Sequence, residues 1–121
     1  MSILLAWLTA FVWTLALELP LYAWRLGAAL ENWRRLARVV FTLNFATHPF
    51  VFAIAWSFPG DFFVLVLAEF GAGLTEGLLA ARLLRGRASA ATCLVASALA
   101  NLVSCGVGLV WSAYASANGP S

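Results

Sequence analysis

Glu18, His48, Glu69 and Glu76 lie inside long apolar runs of this chain, with Asn44 and Asn101 as neutral polar companions. An ionisable group in a hydrocarbon core costs several kcal/mol unless it is paired, hydrated or neutralised, so such groups mark proton relays and cation sites. Carboxylate and imidazole also suit a divalent metal, which makes Glu18, His48 and Glu76 candidate ligands, although their spacing matches no metal motif. A carboxylate paired with the histidine could instead activate water, with an asparagine stabilising an oxyanion. In "ELP" and "THP" a proline closely follows the ionisable residue, and each proline frees the carbonyl four residues earlier. Those carbonyls, of Ala16 and Phe45, are candidates to line a proton or cation site.

These residues must be held by transmembrane helices. Apolar residues make up 64% of the 121 and charged residues only 10%, with a mean hydropathy of +0.94. A water-soluble fold could not cover itself with so little polar surface. Four apolar blocks are separable, at about 3–24, 39–57, 62–84 and 89–114, each long enough to span a bilayer. The expected fold is all-α, a single four-helix transmembrane domain. "SFPGD" reads as the tight turn between the second and third spans. "RLGAALENWRRLAR" reads as a short amphipathic cytoplasmic connection, with Leu26, Leu30 and Trp33 at helical spacing and arginines toward the headgroups. The tail "ASANGPS" is expected to fray. The apolar run from Ile3 lacks a basic leader and is too long for a signal peptide, so the first span should itself direct insertion.

All seven basic residues are arginines, clustered at 25–38 and 82–87. Both clusters follow odd-numbered spans, which places them in the cytoplasm and both termini outside. Trp7, Trp56 and Trp111 then fall toward the outer interface and Trp24 at the inner one. The clusters flank apolar spans rather than a soluble module, which excludes nucleic acid as a partner. Cys93 and Cys105 share a helix about 18 Å apart at 1.5 Å per residue, too far to bridge.

Depth and facing converge on a layer. Glu18, Asn44 and Glu76 fall in the inner half, His48 and Asn101 near the midplane, and Glu69 slightly outward. Asn44 and His48 are four apart and share a face. Glu69 and Glu76, seven apart, lie within about 20° of one another. Thr14, Glu18 and Tyr22 form a stripe, and so do Ser97, Asn101, Ser104 and Gly108. Lipid cannot satisfy such stripes, so they must point inward. His48 is expected to meet a glutamate from span one or three. Gly73 and Gly77 form a G-x-x-x-G, and Ala96, Ala100, Ser104 and Gly108 a small-residue ladder, so spans three and four should pack closely.

Three resemblances follow from these residues. The Glu/His/Asn inventory looks loosely like that of membrane-embedded glutamic proteases, without their paired-glutamate motif: Glu76 is followed by Gly77. Size, four spans and a first-helix glutamate are similar to small multidrug resistance transporters, which implies Glu18 as the working carboxylate. The further glutamates, the histidine, the arginine bias and the missing Trp-x-Gly stretch depart from that family. "ELP…Y", "NFATHP", "E…EGLL…R" and "ASALANLVSCGVG" together resemble a group of uncharacterised small four-span bacterial membrane proteins, implying a bacterial inner membrane and no particular activity. The expected function is proton or cation handling by the intramembrane Glu/His/Asn site. A structural subunit of a larger membrane complex or a homo-oligomer is the alternative, and an intramembrane Glu/His hydrolase the second.

Overall fold

The computed structural model describes residues 2–119. It is an all-α bundle of α1 (Ile3–Leu30), α2 (Trp33–Ser57), α3 (Phe62–Leu83) and α4 (Ala90–Asn118). All four helices are long and apolar enough to cross a membrane. Each begins with a side-chain cap that satisfies an otherwise unpaired backbone N–H. Ser2 Oγ accepts from Leu5 N, Asn32 Oδ1 from Arg34 N, Asp61 Oδ1 from Val64 N, and Ser89 Oγ from Thr92 N.

Connections this short make sequential helices antiparallel. Only Glu31 and Asn32 separate α1 from α2. The expected interfacial helix is therefore absent. Residues 25–30 prolong α1 and residues 33–38 open α2, with Glu31 making the corner at φ 54°. The reason is packing: Leu26 and Leu30 are buried in the bundle core with Leu36, whereas Trp33 is exposed. The tail also departs from expectation, since residues 115–118 continue α4. Ser116 Oγ and Asn118 Nδ2 donate to carbonyls one turn back, of Ser112 and Tyr114. Pro120 and Ser121 lie outside the described residues.

The helices form a ring in which each packs on its sequence neighbours and α4 closes on α1. The core is uneven along the axis. At the arginine end, Tyr22, Leu26, Leu30, Leu36, Val40, Leu43, Ala80, Leu84, Cys93, Ala96 and Ala100 form one buried apolar cluster. A polar layer of Glu18, Asn44, Thr47, Glu76, Ser97 and Asn101 sits on it. Toward the other end only Phe11 and Ala72 are buried among the described residues.

Close approach of α3 and α4 depends on Gly77. A Cβ there would lie 2.7 Å from Leu94 Cδ2 and 3.1 Å from Leu94 Cα, the second a backbone atom that cannot rotate away. At Gly73 a Cβ would make ordinary contact, 3.6 Å from Asn101 Cβ. Gly108, expected in the same ladder, is exposed with nothing within 4 Å of its Cβ, because α4 has left the core by that turn. Gly77→Ala is expected to cost about 1–3 kcal/mol of stability by overpacking. Gly71→Ala, whose Cβ has nothing within 4 Å, should cost none. Unfolding of the two variants in mixed micelles measures the difference.

Candidate functional site

Two carboxylates from two helices occupy the polar layer. Glu18 and Glu76 are each 1% exposed, and no arginine or other cation is buried with them among the described residues. Burial of an unpaired carboxylate is tolerated only when its oxygens accept hydrogen bonds. Each does so from its neighbours.

Glu18 Oε2 accepts from Asn44 Nδ2 at 2.9 Å and Oε1 from Ser104 Oγ at 2.8 Å. Glu76 Oε2 accepts from the Tyr22 hydroxyl at 3.0 Å and from Asn101 Nδ2 at 2.9 Å, while Oε1 accepts from Thr47 Oγ1. The two halves join through α4, where Ser104 Oγ also lies 3.2 Å from the Asn101 carbonyl. Ser97 Oγ donates to Gly73 O at 2.6 Å and ties α4 to α3. All four helices thus contribute to one polar layer made of two adjoining hydrogen-bonded sets.

Both asparagines are fixed in orientation. Asn44 Nδ2 also donates to Val40 O at 3.1 Å, and Asn101 Nδ2 to Ser97 O at 3.0 Å. An amide nitrogen facing two acceptors cannot be exchanged for its oxygen without losing both.

His48 is not part of this layer. Its Nε2 lies 3.2 Å from Thr14 Oγ1, and its ring sits among Phe11, Trp7 and Phe52 at centroid distances of 5.4, 6.4 and 6.5 Å. Nδ1 is buried without a partner. The expected glutamate contact is therefore replaced by a threonine and an aromatic surround. Thr47, one residue before His48, takes the inward position and reaches Glu76 instead. Two consequences follow. Glu18, His48 and Glu76 do not assemble a metal site, and no group of three or more His, Cys, Asp or Glu suited to a metal occurs among the described residues. The carboxylate–imidazole pair required for water activation is also not assembled.

Glu69 stands apart too. It lines a groove of about 500 Å³ between α3 and α4, whose other walls are apolar apart from Asn101. Asn101 therefore borders both the groove and the carboxylate layer. The prolines do not bring carbonyls to the site. Pro20 and Ala16 are exposed on the outer face of α1, and Pro49 lines a shallow apolar pocket with Ile3, Leu4, Trp7 and Phe52.

Of the residues expected in the layer, Glu18, Asn44, Glu76, Asn101, Ser97 and Ser104 are brought together. Tyr22 and Thr47 belong to it as well. Tyr22 lies in the Thr14–Glu18–Tyr22 stripe, and Thr47 is three residues from Asn44, so helical spacing could have marked both. No protein-family model matches the chain, and neither does any curated protein or solved structure.

Glu76→Gln keeps a carbonyl oxygen for Tyr22 and Asn101 and offers its amide hydrogens to Thr47, so it should fold. Glu76→Leu leaves the Tyr22 hydroxyl without its acceptor and reduces Asn101 and Thr47 to their backbone carbonyl partners, and should cost about 1–3 kcal/mol more than the glutamine variant. Tyr22→Phe removes one hydrogen bond and should cost about 0.5–2 kcal/mol. Unfolding in mixed micelles gives this order.

Proposed function

We propose that this chain is an integral protein of a bacterial cytoplasmic membrane that handles protons or cations through the Glu18–Glu76 layer, with both termini outside. The arginine clusters support the orientation: all seven basic residues lie in or beside the α1–α2 and α3–α4 connections, at one end of the bundle. The observation that carries the functional reading is the burial of two carboxylates with no cation buried among the described residues. Coulomb repulsion and desolvation disfavour two negative charges there. A proton or a bound cation relieves that cost, and its arrival and departure are then built into the site. The first-helix position of Glu18 also agrees with the likeness to small multidrug resistance transporters.

A structural subunit or homo-oligomer is the second reading. It is favoured by the outer half of the bundle, where large apolar residues such as Trp13, Phe62, Phe70, Val110 and Trp111 are exposed and little is buried.

The deciding measurement uses purified protein in liposomes under an imposed ion gradient. Flux is expected for the parent chain and for His48→Ala, because His48 lies outside the layer. Glu18→Gln and Glu76→Gln should fall to the level of empty liposomes. Unchanged flux in both glutamine variants would sink the proposal, and absence of flux in the parent would leave the subunit reading in its place.

A further inference from the structure

The chemistry of the groups around each carboxylate separates a proton from a metal ion. A metal ion is held by lone pairs, from carboxylates, carbonyls and hydroxyl oxygens converging on one point. Around Glu18 and Glu76 the neighbours instead present hydrogens. Asn44 and Asn101 face the carboxylates with their amide nitrogens, and Tyr22 faces Glu76 with its hydroxyl. Turning either amide to offer oxygen would break its bond to the backbone carbonyl of Val40 or Ser97. A cation beside Oε2 of either carboxylate would meet donors.

Each carboxylate is nevertheless built to hold a proton, and in the same way. One oxygen is engaged by fixed donors: Glu18 Oε2 by Asn44, and Glu76 Oε2 by Tyr22 and Asn101. The other oxygen faces a single hydroxyl that has a backbone carbonyl as an alternative acceptor. For Glu18 Oε1 the hydroxyl is Ser104, which also lies 3.2 Å from Asn101 O. For Glu76 Oε1 it is Thr47, which also lies 3.2 Å from Leu43 O. A hydroxyl donates once and accepts through either lone pair, and its hydrogen rotates freely about the C–O bond. With the carboxylate ionised, the hydroxyl donates to it. With the carboxyl protonated at Oε1, the carboxyl donates to the hydroxyl, whose hydrogen turns to the carbonyl. Both states leave every donor paired and no heavy atom has to move.

We infer that the ion handled by this layer is the proton, held in turn on Oε1 of Glu18 and of Glu76, with Ser104 and Thr47 as rotating hydroxyls that keep the layer hydrogen-bonded in both states. This rests on the functional reading above and narrows it. Uptake transfers a proton from a water-borne donor to a carboxylate oxygen, forming one O–H bond and breaking one, and release returns it to water. The titratable groups facing the pair are Glu18 and Tyr22 from α1 and Glu76 from α3, with Glu69 on α3 beyond the layer. From α2 and α4 the layer receives Asn44, Thr47, Ser97, Asn101 and Ser104, none of which titrates. Ser104 and Thr47 are positioning residues, since the proton resides on the carboxyls.

The test uses the full chain in liposomes, with a pH-sensitive dye for protons and, in parallel, ion-selective dyes for Na⁺, K⁺, Mg²⁺ and Zn²⁺. The parent should move protons and none of the four metal ions. Thr47→Val keeps the shape and removes the hydroxyl, and Ser104→Ala does likewise. Each should slow proton flux about tenfold or more, because Oε1 then lacks its donor when ionised and its acceptor when protonated. Thr47→Ser restores the hydroxyl and should recover most of the rate, which a purely structural role for the side-chain volume would not predict. Infrared difference spectra between acid and alkaline pH should show a carboxyl band that shifts in Thr47→Val and returns in Thr47→Ser. Flux of a metal ion without protons overturns this inference and leaves the broader function standing. Proton flux undiminished in both Thr47→Val and Ser104→Ala also overturns it. No flux of any ion in the parent removes both.

Discussion

Two carboxylates are buried at one level of a bundle in which no cation is buried among the described residues, and much of the architecture follows from satisfying their oxygens. An unsatisfied ionisable group inside a bundle of apolar helices costs several kcal/mol. The hydrogen bonds that meet this demand also set the registers of the helices. Asn44 to Glu18 fixes α1 against α2, Ser104 to Glu18 fixes α1 against α4, and Thr47 to Glu76 fixes α2 against α3. Asn101 to Glu76 and Ser97 to Gly73 fix α4 against α3. Tyr22 to Glu76 spans the diagonal between α1 and α3, which otherwise lack close backbone contact. Sliding one helix by a turn would break several of these bonds at once.

The packing serves the same demand. Short hydroxyl and amide side chains reach a carboxylate only if the helices approach closely, and small residues permit that approach. Gly77 against Leu94, with Ala96 and Ala100 fully buried on α4, draws α3 and α4 together below the layer. The apolar cluster at the arginine end then seals that side, with Tyr22 bridging it to the polar layer. Away from the arginine end little is buried among the described residues, and a groove that Glu69 lines runs between α3 and α4. The carboxylates thus lie between an end rich in buried apolar residues and an end with few.

His48 shows how a polar residue in a greasy span can be placed away from the chemistry. Successive residues of an α-helix point about 100° apart. Thr47 and His48 therefore fall on either side of Asn44, about 60° one way and 40° the other. Both are compatible with a face centred on Asn44, and only one can be directed at Glu76. Thr47 is short enough to fit beneath α3, whereas the imidazole packs among Phe11, Trp7 and Phe52 and shares a hydrogen bond with Thr14.

The sequence by itself determined the four helices, their lengths to within a few residues outside the first connection and the tail, and the inward stripes. Hydropathy and period 3.6 are local properties, readable without knowing what a helix packs against. Counting residues along the axis also brought Glu18, Asn44 and Glu76 to one level, with Asn101 placed beside His48 nearer the midplane. The tertiary structure alone decided which members of each stripe meet. That choice depends on helix rotation and separation, which are set by side-chain volumes on neighbouring helices rather than by spacing along one. It turned Tyr22 and Thr47 toward Glu76, left His48 with Thr14, and put Glu69 in a groove. It also straightened the first connection into two helix ends, because Leu26 and Leu30 had a bundle core to enter and no need of a membrane surface.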